Sequence, residues 1–171
     1  MPLVSGPAEA RERVRPILVA LSRRIMWLGD EPGVASSLKL VANQWTLVVT
    51  ELLAETLALA EGLELDPRLF FDLISGASFD MQYAHWKGEK MLSRDFEAAF
   101  TLRLGRKDLG LAVQAAEGAG LDPALAEVTH ARFGLAVDLG HGDDDSSATF
   151  MAARRRTPVD ARLAATPLQG E

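Results

Sequence analysis

Apolar positions along this chain recur mostly at helical spacing. Val14, Ile17, Leu18 and Leu21 fall on one side of a helix predicted over 8–24. Ile25-Met26-Trp27-Leu28, closed by Gly29, reads as a short strand with no strong partner later in the chain. A lone strand leaves its ladder hydrogen bonds unmade, so this segment reads as the edge of a sheet lying elsewhere. Asp30-Glu31-Pro32-Gly33 forms a turn, and a helix follows from Val34 to Glu61, stopped by Gly62. At 1.5 Å per residue it is about 40 Å long. Apolar side chains surround much of its circumference, which places it at the centre of the fold and buries it.

Shorter helices follow. Asp66-Pro67 opens one through about Ser75, with Asp as cap and Pro in the first turn. Further helices are expected over Phe79–Leu92, within Phe96–Ala119 before Gly120, and from Asp122-Pro123 to about Leu139. Asp143 to Asp145 cap a last one through about Arg155. Gly62-to-Pro67 and Gly120-to-Pro123 look alike, but their flanks differ, so they are one kind of helix punctuation used twice. The tail from Thr157 has little to bury and is expected to be disordered. The expected fold class is all-α, a helical bundle around one long central helix.

One stretch of that helix departs from its apolar character. In Leu38-Lys39-Leu40-Val41-Ala42-Asn43 a lysine sits among aliphatic residues, with an amide one turn on. Thr46 and Thr50 extend the polar line. Burying a lysine there is costly unless its charge is used. Lys39 and Asn43 therefore read either as a proton donor and its positioning partner for carbonyl chemistry, or as a lysine that snorkels to the surface near a helix start.

Composition narrows the function classes. The 171 residues make one ordinary domain, and 48% hydrophobic residues suffice for a core. A net charge of -6 argues against a general nucleic-acid binder. The absence of cysteine excludes disulfides, thiolate metal sites and a cysteine nucleophile, and fits a cytoplasmic protein. Met1 to Arg15 has no apolar signal core, and Glu51 and Glu55 interrupt the most apolar long segment, so no membrane span is expected.

Other polar groupings carry less. Lys107-Asp108 reads either as a cation that reaches an anionic ligand, with its carboxylate fixing the helix, or as an exposed charge pair. Asp143-Asp144-Asp145 lacks the spacing of a calcium loop, and a helix N-terminus explains it better. His85, His130 and His141 lack close metal-ligand spacing. Arg154-Arg155-Arg156 reads as a basic helix end, and Phe79, Met81, Tyr83 and Trp86 as packing. No Gly-x-Gly-x-x-Gly dinucleotide fingerprint is present.

Taken in order, the motifs resemble a known family. Gly33-Val34-Ala35-Ser36-Ser37-Leu38-Lys39-Leu40-Val41-Ala42-Asn43 is similar to the Gly-x-Gly-x-x-x-Lys-x-x-x-Asn motif of the β-hydroxyacid dehydrogenases, which include 3-hydroxyisobutyrate dehydrogenase and are related to 6-phosphogluconate dehydrogenase. The likeness continues through Glu51, Glu55, Phe100 and Lys107-Asp108-Leu109 to Asp145-Ser146-Ser147-Ala148. It implies that Lys39 is the catalytic lysine and that Asn43 binds substrate. Phe100 and Asp108 would border the site, and Lys107 would contact NAD or NADP. It also implies a homodimer or tetramer and a small hydroxyacid or aldehyde substrate.

Two departures accompany it. Ala35 stands where the family has glycine. Leu3-Val4-Ser5-Gly6-Pro7 resembles the substrate loop at the end of the family's Rossmann domain, where Ser and Gly bind the substrate carboxylate. Pro7 replaces the second glycine and the connecting stretch is shortened; the resemblance implies Ser5 and Gly6 as substrate-binding residues. The family's dinucleotide fingerprint lies in an N-terminal Rossmann domain. On this reading residues 1–32 are its remnant, 33–156 the helical substrate and dimerisation domain, and 157–171 the tail. The chain is then expected to be inactive without a nucleotide-binding domain, supplied separately or by a longer protein. Two alternatives stand beside this, a non-catalytic helical dimerisation module and an imine reductase-like domain, the latter disfavoured because those enzymes generally lack a lysine equivalent to Lys39.

Overall fold

The computed structural model describes residues 1–154, so the tail expected from Thr157 and the last two residues of the 154–156 arginine run lie outside the described residues. The chain begins with β1 (Leu3–Val4), α1 (Ala8–Leu21) and β2 (Met26–Trp27), then runs through α2 (Val34–Gly62), α3 (Arg68–Ile74), α4 (Gln82–Ser93), α5 (Leu102–Gly118), α6 (Ala124–Ala136) and α7 (Thr149–Ala153). A widened helical turn, Val137–His141, prolongs α6, and a 3₁₀ turn, Ser146–Ala148, precedes α7. The expected all-α bundle around one long helix is what forms, with one small β-ribbon beside it.

That ribbon corrects one expectation. The strand at Met26–Trp27 has a partner, and it comes earlier in the chain. Leu3 pairs with Met26 and Val4 with Trp27, in parallel. Two residues are too few to show an alternating pattern, so β1 is invisible to periodicity. The pairing continues outward, with Met26 N–H donating to Pro2 O and Leu28 N–H to Val4 O. A second correction concerns α1. Its apolar side chains Val14, Ile17 and Leu21 stay exposed and no residue of the helix is buried, because the two-stranded ribbon gives it almost nothing to pack on.

The long helix divides into two halves. Gly33 caps its start at φ 95°, a left-handed conformation that glycine adopts without strain. Residues 34–46 include no buried side chain, contrary to the expectation of a helix buried throughout. From Leu47 onward the helix is the hub of the bundle, burying Leu47, Thr50, Glu51, Leu53, Ala54 and Leu57. Two packed clusters flank it. Leu47 joins Leu102, Leu109, Phe133 and Ala136, whereas Leu53, Ala54 and Leu57 join Ala84, Met91 and Phe150.

Small residues let the helices approach. A Cβ on Gly88 of α4 would lie 2.2 Å from the Phe71 ring, and one on Gly105 of α5 would lie 2.9 Å from Phe133. The helix expected within 96–119 starts at Leu102, capped by Thr101, whose Oγ1 accepts Leu104 N–H at 3.4 Å. Residues 96–101 stay outside the helix because 144–146 capture their backbone. Asp145 N–H donates to Phe96 O, Ser146 N–H to Phe100 O, and Leu102 N–H to Asp144 O.

Candidate functional site

The polar stripe of α2 meets α5 at its centre. Asn43 Nδ2 donates to Asp108 Oδ2 at 2.7 Å, a contact between residues 65 positions apart. Lys107 Nζ lies 2.9 Å from the other oxygen, Asp108 Oδ1. The Asp108 side chain is only 10% exposed, while that of Lys107 is 60% exposed. Asp108 is therefore a nearly buried anchor. It fixes the Asn43 amide through one oxygen and holds an exposed cation through the other. Among the described residues nothing bonds the amide's second N–H or its carbonyl oxygen, which leaves both to a ligand.

Lys39 lies one turn before Asn43 on the same face, roughly 6 Å along the axis. It is exposed, and among the described residues it makes no hydrogen bond or ion pair. Its exposure matches the reading of a lysine that reaches the surface near a helix start. The ammonium is free to meet a ligand. One further turn back, Ser5 Oγ accepts Ala35 N–H at 3.1 Å, so the loop after β1 caps the start of α2. Gly6 follows, held by its N–H to Gly29 O at 3.1 Å. Ser5, Ala35, Lys39, Asn43, Asp108 and Lys107 thus line one face of the first half of α2.

Phe100 stands apart from that line. It is partly buried and packs on the cluster containing Leu47, one turn beyond Asn43, and Leu109, next to Asp108. Its own backbone is held by residues 145 and 146.

Two buried polar networks support the frame, and both centre on residues that periodicity did not single out. In the first, Lys87 of α4 is 2% exposed and Asp145 is 0% exposed, with Lys87 Nζ 2.6 Å from Asp145 Oδ1 and 2.9 Å from Ser146 Oγ. Tyr83 Oη, nearby on α4, shares a 2.7 Å hydrogen bond with Thr50 Oγ1. Burial alone would raise the Asp145 carboxyl, but hydrogen bonds from Lys87 and Ser147 outweigh it and hold the group below the ordinary aspartate value. Burial draws the Lys87 ammonium down, and Asp145 opposes this. We take the pair as charged at neutral pH, since the carboxylate is held ionised by several donors. In the second network Glu51 accepts from Thr149 and from Arg132 Nε, the latter at 3.0 Å. Burial raises the Glu51 carboxyl despite both donors.

The rule that singled out Lys39, a lysine set among apolar neighbours, applies better to Lys87. Ala84, Lys87, Gly88 and Met91 are the buried set of α4, at helical core spacing. A lysine in that register is the sequence feature by which the first network could have been found. Asp145 does cap the turn that precedes α7, as expected of the acidic run, by accepting Ser147 N–H at 3.0 Å. Among the described residues no group of His, Asp or Glu is arranged to hold a metal ion.

Comparison with known proteins identifies the family of the helical domain. Residues 33–152 match the family model described as the NAD-binding domain of NADP-dependent 3-hydroxyisobutyrate dehydrogenase. An uncharacterised oxidoreductase of Bacillus subtilis is 31% identical over 147 residues, covering 85% of this chain and 51% of that protein. The 3-sulfolactaldehyde reductase of Escherichia coli K12 is 29% identical over 163 residues, covering 94% and 54%. Among solved structures, the Mycobacterium tuberculosis 3-hydroxyisobutyrate dehydrogenase with L-serine superposes with a TM-score of 0.76 at 27% identity, over 88% of this chain and 54% of that one. The Salmonella typhimurium 3-hydroxyisobutyrate dehydrogenase has the same fold, with a TM-score of 0.79 at 24% identity over 86% and 52%. The chain spans about half the length of the curated relatives it matches. Its helical domain, with the Lys39–Asn43 stripe set against Asp108, belongs to the NADP-dependent 3-hydroxyisobutyrate dehydrogenase family.

Proposed function

We propose that this chain supplies the substrate-binding and proton-handling part of an NAD(P)-dependent dehydrogenase acting on a small β-hydroxyacid or the corresponding aldehyde. The observation that carries the reading is the 2.7 Å contact of Asn43 with Asp108, one turn from a free lysine. Lys39 gives its proton to the oxygen of a carbonyl as that oxygen gains negative charge, or takes it back in the reverse direction. Asn43 holds the same oxygen through the N–H that Asp108 leaves free. Ser5 uses its oxygen to accept Ala35 N–H, which leaves its O–H to donate to the substrate carboxylate beside the start of α2.

The residues present fit the reactive end of a nicotinamide cofactor. Lys107 is an exposed cation on a buried carboxylate anchor, suited to border an anionic dinucleotide. When bound, NAD(P) supplies or takes up the hydride. The β1–α1–β2 unit, with a parallel ribbon and an uncovered helix, is suited to join a larger parallel sheet such as a nucleotide-binding domain carries.

The reading is tested by titrating 3-hydroxyisobutyrate or L-serine into the ¹⁵N-labelled full chain. Binding should shift the Asn43 side-chain amide and the backbone amides near Lys39 and Lys107. Uniform spectra up to saturating ligand would count against it. A parallel NADPH fluorescence titration separates a chain that binds cofactor alone from one that needs a second domain.

A second reading, a helical dimerisation module, is favoured by one observation. Val41, Trp45, Leu52 and Leu59 are exposed on α2 at spacings of four and seven residues. That pattern forms one stripe along the helix, suited to a like helix in a homodimer or tetramer. The two readings are compatible.

A further inference from the structure

We infer that Asp145, neutralised by Lys87, is a positioning residue for the site, setting where Phe100 and the start of α5 stand; the inference rests on the functional reading above. The Asp145 carboxylate receives five hydrogen bonds. Lys87 Nζ, Ser147 N–H and Ser147 Oγ reach Oδ1 at 2.6, 3.0 and 2.7 Å, and Ala99 N–H and Phe100 N–H reach Oδ2 at 3.2 and 3.3 Å. Among the described residues no other side chain accepts from the backbone at 99 and 100. Two oxygens thus divide the work, one facing the Lys87–Ser147 side and one facing the segment that ends in Thr101, the cap of α5.

The consequence reaches the candidate site along covalent and packed connections. The segment after Phe100 enters α5 at Leu102, and α5 carries Lys107 and Asp108 less than two turns later. Asp108 in turn fixes the Asn43 amide. A shift of the α5 start therefore moves the acceptor that orients Asn43. Phe100 itself packs against the Leu47–Leu109 cluster beneath the polar stripe. A plain helix cap would need one N–H on one oxygen. Saturating both oxygens, one of them with two N–H groups from another segment, fixes the distance between the segments as well. The cation keeps the carboxylate ionised in a fully buried place, where an uncompensated charge would not be tolerated.

Asp145→Asn is the direct test. Lys87 keeps the single remaining oxygen toward itself, so the amide NH₂ faces Ala99 N–H and Phe100 N–H, donor against donor. Hydrogen exchange at these two amides should quicken about tenfold or more. In the same ligand-free variant the Asn43 side-chain amide resonances should move. The dissociation constant for L-serine, read from those resonances in the full chain, should rise about tenfold. Ser147→Ala removes one donor to Oδ1 and keeps both charges. It serves if Asp145→Asn does not fold, and should move the same Asn43 resonances in the same direction with a loss of about two- to threefold.

A lowered melting temperature with unchanged Asn43 resonances, and with unchanged L-serine affinity where binding is measurable, would make Asp145 merely structural and overturn the inference. If the unmodified chain binds no L-serine, the functional reading is what fails. The Asn43 resonances of the ligand-free variants still decide the positioning role.

Discussion

Asn43 and Asp108 together do what neither does alone. An asparagine on an open helix face has a freely turning amide. With Asp108 Oδ2 2.7 Å from its Nδ2, the amide has one orientation, and a ligand meets a fixed donor and acceptor. Asp108 needs the contact too, being nearly buried. Asn43→Leu keeps the shape and removes the donor. It should destabilise the fold by about 1–3 kcal/mol, the cost of stripping a partner from a buried acceptor, as read by urea denaturation. It should also abolish the ligand-induced shifts near Lys107. An unchanged denaturation midpoint would mean that water replaces Asn43 and that Asp108 does not depend on it. At this scale the sequence was informative where motifs are concerned and misleading where burial is. The Lys39–Asn43 spacing set both side chains on one helix face, but periodicity did not single out Lys87. Only tertiary packing separates exposed Lys39 from Lys87, which is 2% exposed.

The elements are held by close approach and by buried polar ties. Gly88 brings α4 against Phe71 of α3, with no room for a methyl group. Gly88→Ala should destabilise by about 1–3 kcal/mol through overpacking, despite the better helix propensity of alanine. A neutral or stabilising result in thermal denaturation would show that Phe71 turns aside freely. Glu51 ties α2 to α6 and α7 through Arg132 and Thr149. Burial raises its carboxyl above the unfolded value, and the sign follows from linkage. The native state holds this proton more tightly than the unfolded chain, so its contribution is full at low pH. It is lost as pH rises from about 4.3 through the raised native value. The melting temperature of Glu51→Gln relative to the unmodified chain should therefore be more favourable at pH 7 than at pH 4. The opposite trend would show that Arg132, not burial, governs the carboxylate.

Helix positions were largely legible in the sequence because the 3.6-residue period and the Gly and Asp-Pro boundaries are local. The non-helical stretch at 96–101 was not. Its conformation is imposed by residues 144–146, more than forty positions later, and local propensity carries no trace of that pairing.

At the scale of the whole molecule, the unburied surfaces are as informative as the core. The first half of α2, the uncovered α1 and the two-stranded ribbon contain no buried side chain. The α2 stripe of Val41, Trp45, Leu52 and Leu59 is suited to a second copy. Sedimentation at tens of micromolar should then show a dimer or tetramer, reduced to monomer by Leu52→Glu with Leu59→Glu. Monomer alone in the unmodified chain would remove the stripe from that role. Fold class was legible at this scale because almost every long segment carried helical periodicity. The β-ribbon was not, since two residues per strand leave no pattern to read.

The central claim is that Lys39 handles the substrate proton. It is tested most directly by joining the full chain to a dinucleotide-binding domain of the same family and measuring hydroxyacid-dependent NADPH formation with Lys39 and with Lys39→Met. The account predicts that Lys39→Met lowers kcat by about 10²–10⁴-fold while KM changes little, as loss of a general acid–base requires. Turnover within about threefold of the unmodified protein, well inside that range, would contradict it.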